Sequence, residues 1–211
     1  WRTIPAVLDI ARDMGKYAPG AWYINFTNPS GIITETLLKH TSLKAVGLCN
    51  DPINRVADVA RFFGVPNDVV FLEWVGLNHV NWMRRIYIGG RDVTADVVNQ
   101  VEQVIPDYPL DAELVRTLGV VPGGYLQYYY HHDRKVAGAR AAGKTRGEVV
   151  AEVEKDLLGK YADPMLVIKP PELSKRGGAL YSEAAIRLIL SLVLDRRDVQ
   201  IVAVRNEGAI E

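Results

Sequence analysis

Between Ala21 and Gly64 the chain alternates strand, helix, strand and helix at close spacing, an order that few folds accept. Ala21 to Phe26 is a short apolar run bounded by turn residues, and Leu43 to Leu48 is a second. Ile32 to His40 between them reads as a helix. Pro52 to Gly64 reads as another, with Val56, Val59, Ala60 and Phe63 on one face. This is the pattern of a right-handed βαβ unit in a parallel, doubly wound sheet. Its two strand-to-helix turns, Thr27-Asn28-Pro29 and Cys49-Asn50-Asp51, would share the sheet edge where such folds bind ligands. Pro29 suits the first helical position after an Asn28 cap. A helix from Ile4 to Tyr17, stopped by Pro19-Gly20, precedes the unit.

After Pro66 the period changes. Val69 to Val75 and Trp82 to Ile88 alternate as antiparallel strands do, with Gly89-Gly90-Arg91-Asp92 as a turn. Helices are expected over 93–105, 112–118, 147–161 and 182–194, the last capped by Ser182, with a final strand from Val199 to Val204. The fold class is therefore α/β: the latter part of a Rossmann-like sheet in residues 1–66, then an α+β domain in 67–211.

Lys+Arg and Asp+Glu balance at 25 each, so no global field favours nucleic acid or an anionic membrane. No apolar run reaches the roughly 18 residues of a membrane span, and no signal peptide is visible. A single cysteine excludes an internal disulfide framework and fits a reducing compartment, so the expected location is the cytoplasm and the expected partner a small molecule or another copy. The chain opens at Trp1 inside an amphipathic pattern, which suggests a piece of a longer polypeptide.

Cys49 ends an apolar strand, where a thiol is either a packed small hydrophobe or a metal ligand. His79, in Gly76-Leu77-Asn78-His79, likewise follows an apolar run. Together they form a mixed S/N pair suited to a borderline divalent ion, with positions left open for substrate oxygens. Tyr125, Tyr128, Tyr129 and Tyr130 form a cluster in which Tyr128 and Tyr129 would share a helical face with Tyr125, as core packing or as a source of a base. Arg134, Arg140, Arg146 and Arg176 are candidates for an anionic group. Arg176 stands in a glycine-rich loop before a helix, where backbone donors can approach an anion.

Asn25-Phe26-Thr27-Asn28-Pro29, Gly47-Leu48-Cys49-Asn50, Gly76-Leu77-Asn78-His79, Tyr125-Leu126-Gln127-Tyr128-Tyr129-Tyr130 and Arg176-Gly177-Gly178-Ala179-Leu180-Tyr181-Ser182 follow in order. In this they resemble glycoside hydrolase family 4, and within it the 6-phospho-β-glucosidase branch. The resemblance implies a fold like that of lactate and malate dehydrogenases, a requirement for NAD and a divalent metal, commonly manganese, and a dimer or tetramer. It implies a glycosidase that departs from the two-carboxylate scheme: oxidation at sugar C3, removal of the C2 proton, elimination of the aglycone, addition of water and re-reduction. Carried over, Cys49 and His79 are the metal ligands and Tyr125 the C2 base. Asn28 contacts substrate near the nicotinamide, Asn50 lies against substrate, and Arg146 is offered to the phosphate. Asn50 stands where α-acting members tend to carry an acidic aspartate, which favours the β branch and leaves the general acid unassigned. The family's Gly-x-Gly-x-x-Gly turn does not occur here, so the 211-residue piece alone is expected to bind NAD poorly. The alternatives are an NAD-dependent 2-hydroxyacid dehydrogenase on the same fold, or a non-catalytic α/β sugar-phosphate or nucleotide-binding protein.

Overall fold

The computed structural model describes residues 2–176 and 181–208. In chain order the elements are α1 (Thr3–Tyr17), β1 (Trp22–Asn25), α2 (Ser30–His40), β2 (Lys44–Gly47), α3 (Asp51–Phe63), β3 (Val70–Leu77), β4 (Val80–Ile88) and β5 (Arg91–Asp92). They continue as α4 (Thr94–Asn99), α5 (Val101–Val104), α6 (Ala112–Leu118), β6 (Val121–Pro122), α7 (Gln127–Tyr130), α8 (His132–Ala141), α9 (Arg146–Tyr161), α10 (Leu173–Arg176) and α11 (Tyr181–Leu194). Two compact units result, one of residues 1–126 with 181–211 and one of residues 127–180. Among the described residues, no helix is long and apolar enough to cross a membrane.

In the first unit β1 and β2 pair in parallel, with Asn25 opposite Gly47. The stripe of α1 buries Val7 and Ala11 against Ile33 and Leu37 of α2 and against Leu43 and Ala45. On the other side, Val46 and Leu48 pack on Ala184 and Leu188 of α11. This is the Rossmann-like layering expected of an apolar two-stranded core flanked by helices. Gly64 closes α3 with φ 66°, the left-handed conformation that glycine adopts without steric cost.

β3 and β4 then form an antiparallel hairpin, with β5 and β6 pairing back onto β4. Its inner face sets Leu72, Met83 and Ile86 against Val59 and Ala60 of α3 and against Val97, Val101, Val115 and Val121. The large core thus joins the end of the parallel unit to the antiparallel sheet.

Several expectations need correction. The helix over 93–105 is two short helices, because Gln100 leaves helical geometry at φ −120°. Arg91–Asp92 is a strand rather than part of a turn, since it pairs with Tyr87 and Ile88. Val199–Val204 is not a strand: only Ala203 pairs, in a single antiparallel bridge to Gly47, with reciprocal N–H···O bonds of 2.9 and 2.8 Å. Pro29 takes the cap position of α2 and Ser30 begins it. α11 starts at Tyr181, so Ser182 lies in its first turn and donates to Glu183. Gly177 and Gly178, and the side chain of Arg176, lie outside the described residues.

Gly47 is fixed by sterics. A Cβ there would lie 2.1 Å from Thr34 Oγ1 and 3.1 Å from the Ala203 Cβ. Thr34 is buried and accepts from Asn25 Nδ2, so it has little room to move. Gly47→Ala is therefore expected to destabilise the protein by about 1–3 kcal/mol, the ordinary cost of overpacking. An unaltered denaturation midpoint would show the contact to be looser than this.

In the second unit, α9 opens on a full capping box: Thr145 Oγ1 accepts from the Glu148 N–H, and the Glu148 carboxylate accepts from the Thr145 N–H at 2.7 Å. Those bonds from Thr145, backbone first, hold the Glu148 carboxyl below its ordinary 4.5. A carboxyl lowered in the folded state stabilises above its unfolded value, and that stabilisation is lost as pH falls through the folded one. A pH series of thermal midpoints should show this loss below about 4.5, and Glu148→Gln should remove that component of the acid limb.

Candidate metal and catalytic site

Three remote segments of the first unit converge at one place. The first is the end of the parallel sheet. Asn25, 1% exposed, donates to the carbonyls of Thr27 and Ser30 and to Thr34 Oγ1, and accepts from the Thr27 N–H at 3.0 Å. Ser30 Oγ donates to the Leu48 carbonyl at 3.0 Å. Satisfied buried networks of this kind rigidify what they hold. Here they lock the β1 turn to the β2 end, and Cys49 emerges between that lock and the first turn of α3.

The second segment is the β3–β4 turn. Leu77 pairs with Val80, leaving a two-residue loop of Asn78 and His79. His79 adopts φ 67°, in the left-handed region that turns usually fill with glycine or asparagine. Such a residue costs about 1–3 kcal/mol and persists where the surroundings over-determine it. Three residues earlier, Gly76 at φ 120° admits the Val80 carbonyl, which would lie 2.3 Å from any Cβ. The strain aims the imidazole at the sheet edge: His79 Nε2 lies 3.7 Å from Cys49 Sγ.

The third segment is the turn after β6. Gly123 donates to the Asn81 carbonyl at 2.8 Å, and a Cβ on it would meet Asn81 Oδ1 at 2.3 Å, so only glycine permits the approach. Tyr108 holds the same stretch by donating to the Pro122 carbonyl at 2.6 Å. Tyr125 then stacks on His79, with ring centroids 3.7 Å apart and planes 11° from parallel. The residue is 48% exposed. Tyr125 belongs to a 3₁₀ turn of Gly124–Leu126, whereas Tyr128 and Tyr129 belong to α7.

Burial pushes the Cys49 thiol up, and donation from the Asp51 N–H, the Asn78 side chain and the Asn50 N–H opposes that rise. Burial also pushes His79 down, against the pull of the Asp51 carboxylate, which keeps the ring neutral and able to ligate. The Asp51 carboxyl is itself raised, by burial first, with Arg55 and His79 opposing.

The pair fits a divalent cation. Cys49 Sγ and His79 Nε2 stand 3.7 Å apart, close enough for both to bind one divalent ion. The three donors around Cys49 suit a thiolate. Among the described residues, no set of three His, Cys, Asp or Glu side chains completes a cage. Two protein ligands would leave positions for oxygens from outside the protein, as a catalytic ion requires.

The remaining expected residues are placed as follows. Asn28 is exposed on the β1 turn and accepts from the Ser30 N–H at 3.4 Å. Asn50 caps α3 without a side-chain cap bond. Arg146 lies in the second unit at the start of α9 and donates to the Lys175 carbonyl at 2.8 Å. Sequence reasoning gave no role to Asn78 or Asp51, although each adjoins a proposed ligand. Their neighbourhood was the available signal.

Comparison with known proteins places the chain in a family. The profile "Family 4 glycosyl hydrolase" matches residues 1–65, and "Family 4 glycosyl hydrolase C-terminal domain" matches residues 74–211. A Bacillus subtilis protein named "Probable 6-phospho-beta-glucosidase" is 40% identical over 99% of this chain and 50% of its own length. The Escherichia coli "6-phospho-beta-glucosidase" is 35% identical over 100% of this chain and 50% of its own. The 6-phospho-beta glucosidase of Thermotoga maritima, solved with manganese, NAD+ and glucose-6-phosphate, superimposes with a TM-score of 0.84 at 33% identity, covering 96% of this chain and 49% of that one. The chain thus spans about half the length of the relatives it matches. With both profiles in sequence order along one chain, it belongs to the family 4 glycosyl hydrolases.

Proposed function

We propose that the protein carrying this chain hydrolyses 6-phospho-β-glucosides with NAD and a divalent metal, manganese in the first instance. The observation that carries the reading is the line Cys49–His79–Tyr125, with successive separations of 3.7 Å. It sets a metal-ligand pair directly beside a phenol. The family membership and the ligands named for the Thermotoga maritima relative support it.

Bound nicotinamide and metal would supply hydride acceptance at sugar C3 and Lewis-acid polarisation of the neighbouring oxygens. The chain's residues would do the rest. Cys49 and His79 hold the cation, and their open side admits the sugar. Tyr125 takes the proton from C2, which a C3 ketone acidifies, and the electron pair left behind expels the aglycone from C1. Water adding at C1 would be matched by return of the Tyr125-held proton to C2, with the proton released from water going to the aglycone oxygen. With the hydride given back to C3 from the nicotinamide, the net change would consume only water. Asn28, exposed on the β1 turn, faces the substrate from the nicotinamide side, and Asn50 contacts the sugar. Arg146 is offered to the 6-phosphate, since a guanidinium carries five N–H donors and the Lys175 carbonyl engages one of its nitrogens. Residues 1–66 would belong to the NAD-binding part and 67–211 to the substrate and metal part, in a cytoplasmic homodimer or homotetramer.

The test is release of p-nitrophenol from p-nitrophenyl 6-phospho-β-glucoside by the intact protein, with and without Mn2+ and NAD. Turnover that depends on both is expected. Metal-independent turnover, or NAD-linked oxidation of a 2-hydroxyacid instead, would overturn the reading.

A further inference from the structure

We propose that the Asp51 carboxylate is a charge partner of the Cys49–His79 pair, and that it sets how tightly the pair holds its cation. The inference rests on the reading of Cys49 and His79 as metal ligands. Asp51 opens α3 two residues after Cys49, and its side chain is only 19% exposed. Its Oδ2 is enclosed and has no hydrogen-bond partner. Its Oδ1 lies 3.8 Å from Arg55 Nε, beyond hydrogen-bond range, and that Nε is also buried without a partner. Arg55 instead directs Nη1 to Asp58 at 3.2 Å. An ordinary i,i+4 ion pair would satisfy these atoms. This one does not.

A buried carboxylate left in that state costs the folded protein free energy unless another charge answers it. Without a cation that charge opposes loss of the Cys49 proton and favours protonation of His79, so both ligands feel it, while the Asp51 N–H donates toward Cys49 Sγ. One negative charge from the Cys49 thiolate and one from Asp51 together match a dication. Asp51 need not touch the ion for this, and among the described residues it completes no three-ligand set. It is a positioning residue, acting through the field it adds at the pair. Outer-shell partners of metal ligands typically change metal affinity by about 10- to 100-fold when removed.

The experiment measures free Mn2+ by electron paramagnetic resonance during titration of the intact protein and four variants. Asp51→Asn is expected to weaken binding about 10- to 100-fold, with an unchanged circular dichroism spectrum and no fall in the metal-free thermal midpoint. Asp51→Glu should restore part of the affinity. Arg55→Met, which removes an opposing positive charge, should bind Mn2+ at least as tightly as the unaltered protein. Unchanged affinity in Asp51→Asn overturns the proposal. So does a loss in Arg55→Met equal to that in Asp51→Asn, because the ion pair would then be the only role of Asp51. If Asp51→Asn does not fold, the Arg55→Met result decides. Cys49→Ser separates the two layers: tight Mn2+ binding there overturns the metal site itself, whereas loss there with full affinity in Asp51→Asn overturns only the role of Asp51.

Discussion

Cys49→Ser in the intact protein is expected to lose more than about a hundredfold in turnover, beyond the upper range for outer-shell partners, while the fold stays intact. Serine is nearly isosteric, so the network of Asn25, Ser30 and Thr34 that places residue 49 has no reason to move. What changes is the ligand. Two backbone N–H groups and the Asn78 side chain donate toward Cys49 Sγ, opposing the burial that raises the thiol. A thiol can yield its proton to that environment in exchange for a cation, and an aliphatic hydroxyl cannot. Mn2+ titration and far-ultraviolet circular dichroism check both halves of the claim. Undiminished turnover in the serine variant would remove Cys49 from the chemistry.

Tyr125→Phe should separate chemistry from assembly. The phenylalanine ring keeps the face that stacks on His79 at 3.7 Å, so the imidazole holds its orientation and Mn2+ affinity is expected to persist. The phenol oxygen is gone, and with it the proposed base. A positioned general base contributes about 10²- to 10⁴-fold, and the loss should fall on kcat with KM little altered. In heavy water the unaltered enzyme should place deuterium at C2 of the released sugar phosphate, as C2 proton removal requires. A Tyr125→Phe enzyme with unchanged kcat and the same deuterium incorporation would assign the base elsewhere. Tyr125→Ala should do further harm, because it also removes a stacking partner worth about 0.5–1.5 kcal/mol beyond its burial.

The parallel unit was legible because its pattern is local. Apolar runs of strand length bounded by Pro, Gly and Asn place β1 and β2 within a residue or two, and the same boundaries put Cys49 at a strand end. The antiparallel hairpin was legible for the same reason, from its alternation. What failed was decided by tertiary context. Val199–Val204 has strand composition, yet Val199 is 71% exposed and Val204 65%, and only Ala203 finds a pairing partner, at Gly47. The break at Gln100 leaves no mark in an apolar pattern that continues across it. β6 is only two residues long, one of them proline, and it exists because Gly123 and Tyr108 secure it. The candidate site divides in the same way. Cys49 and His79 could be named from their positions after apolar runs, but the unsatisfied state of Asp51 is a property of the packed α3 turn and has no counterpart in the sequence.

The left-handed backbone at His79 has a consequence for selection. Glycine would occupy that turn position with less strain, so His79→Gly is a substitution that a screen for thermal resistance alone would reward. The same change deletes a proposed ligand and the ring on which Tyr125 rests. Laboratory evolution toward robustness, run without an activity check, would therefore be drawn to the one turn residue the chemistry can least spare.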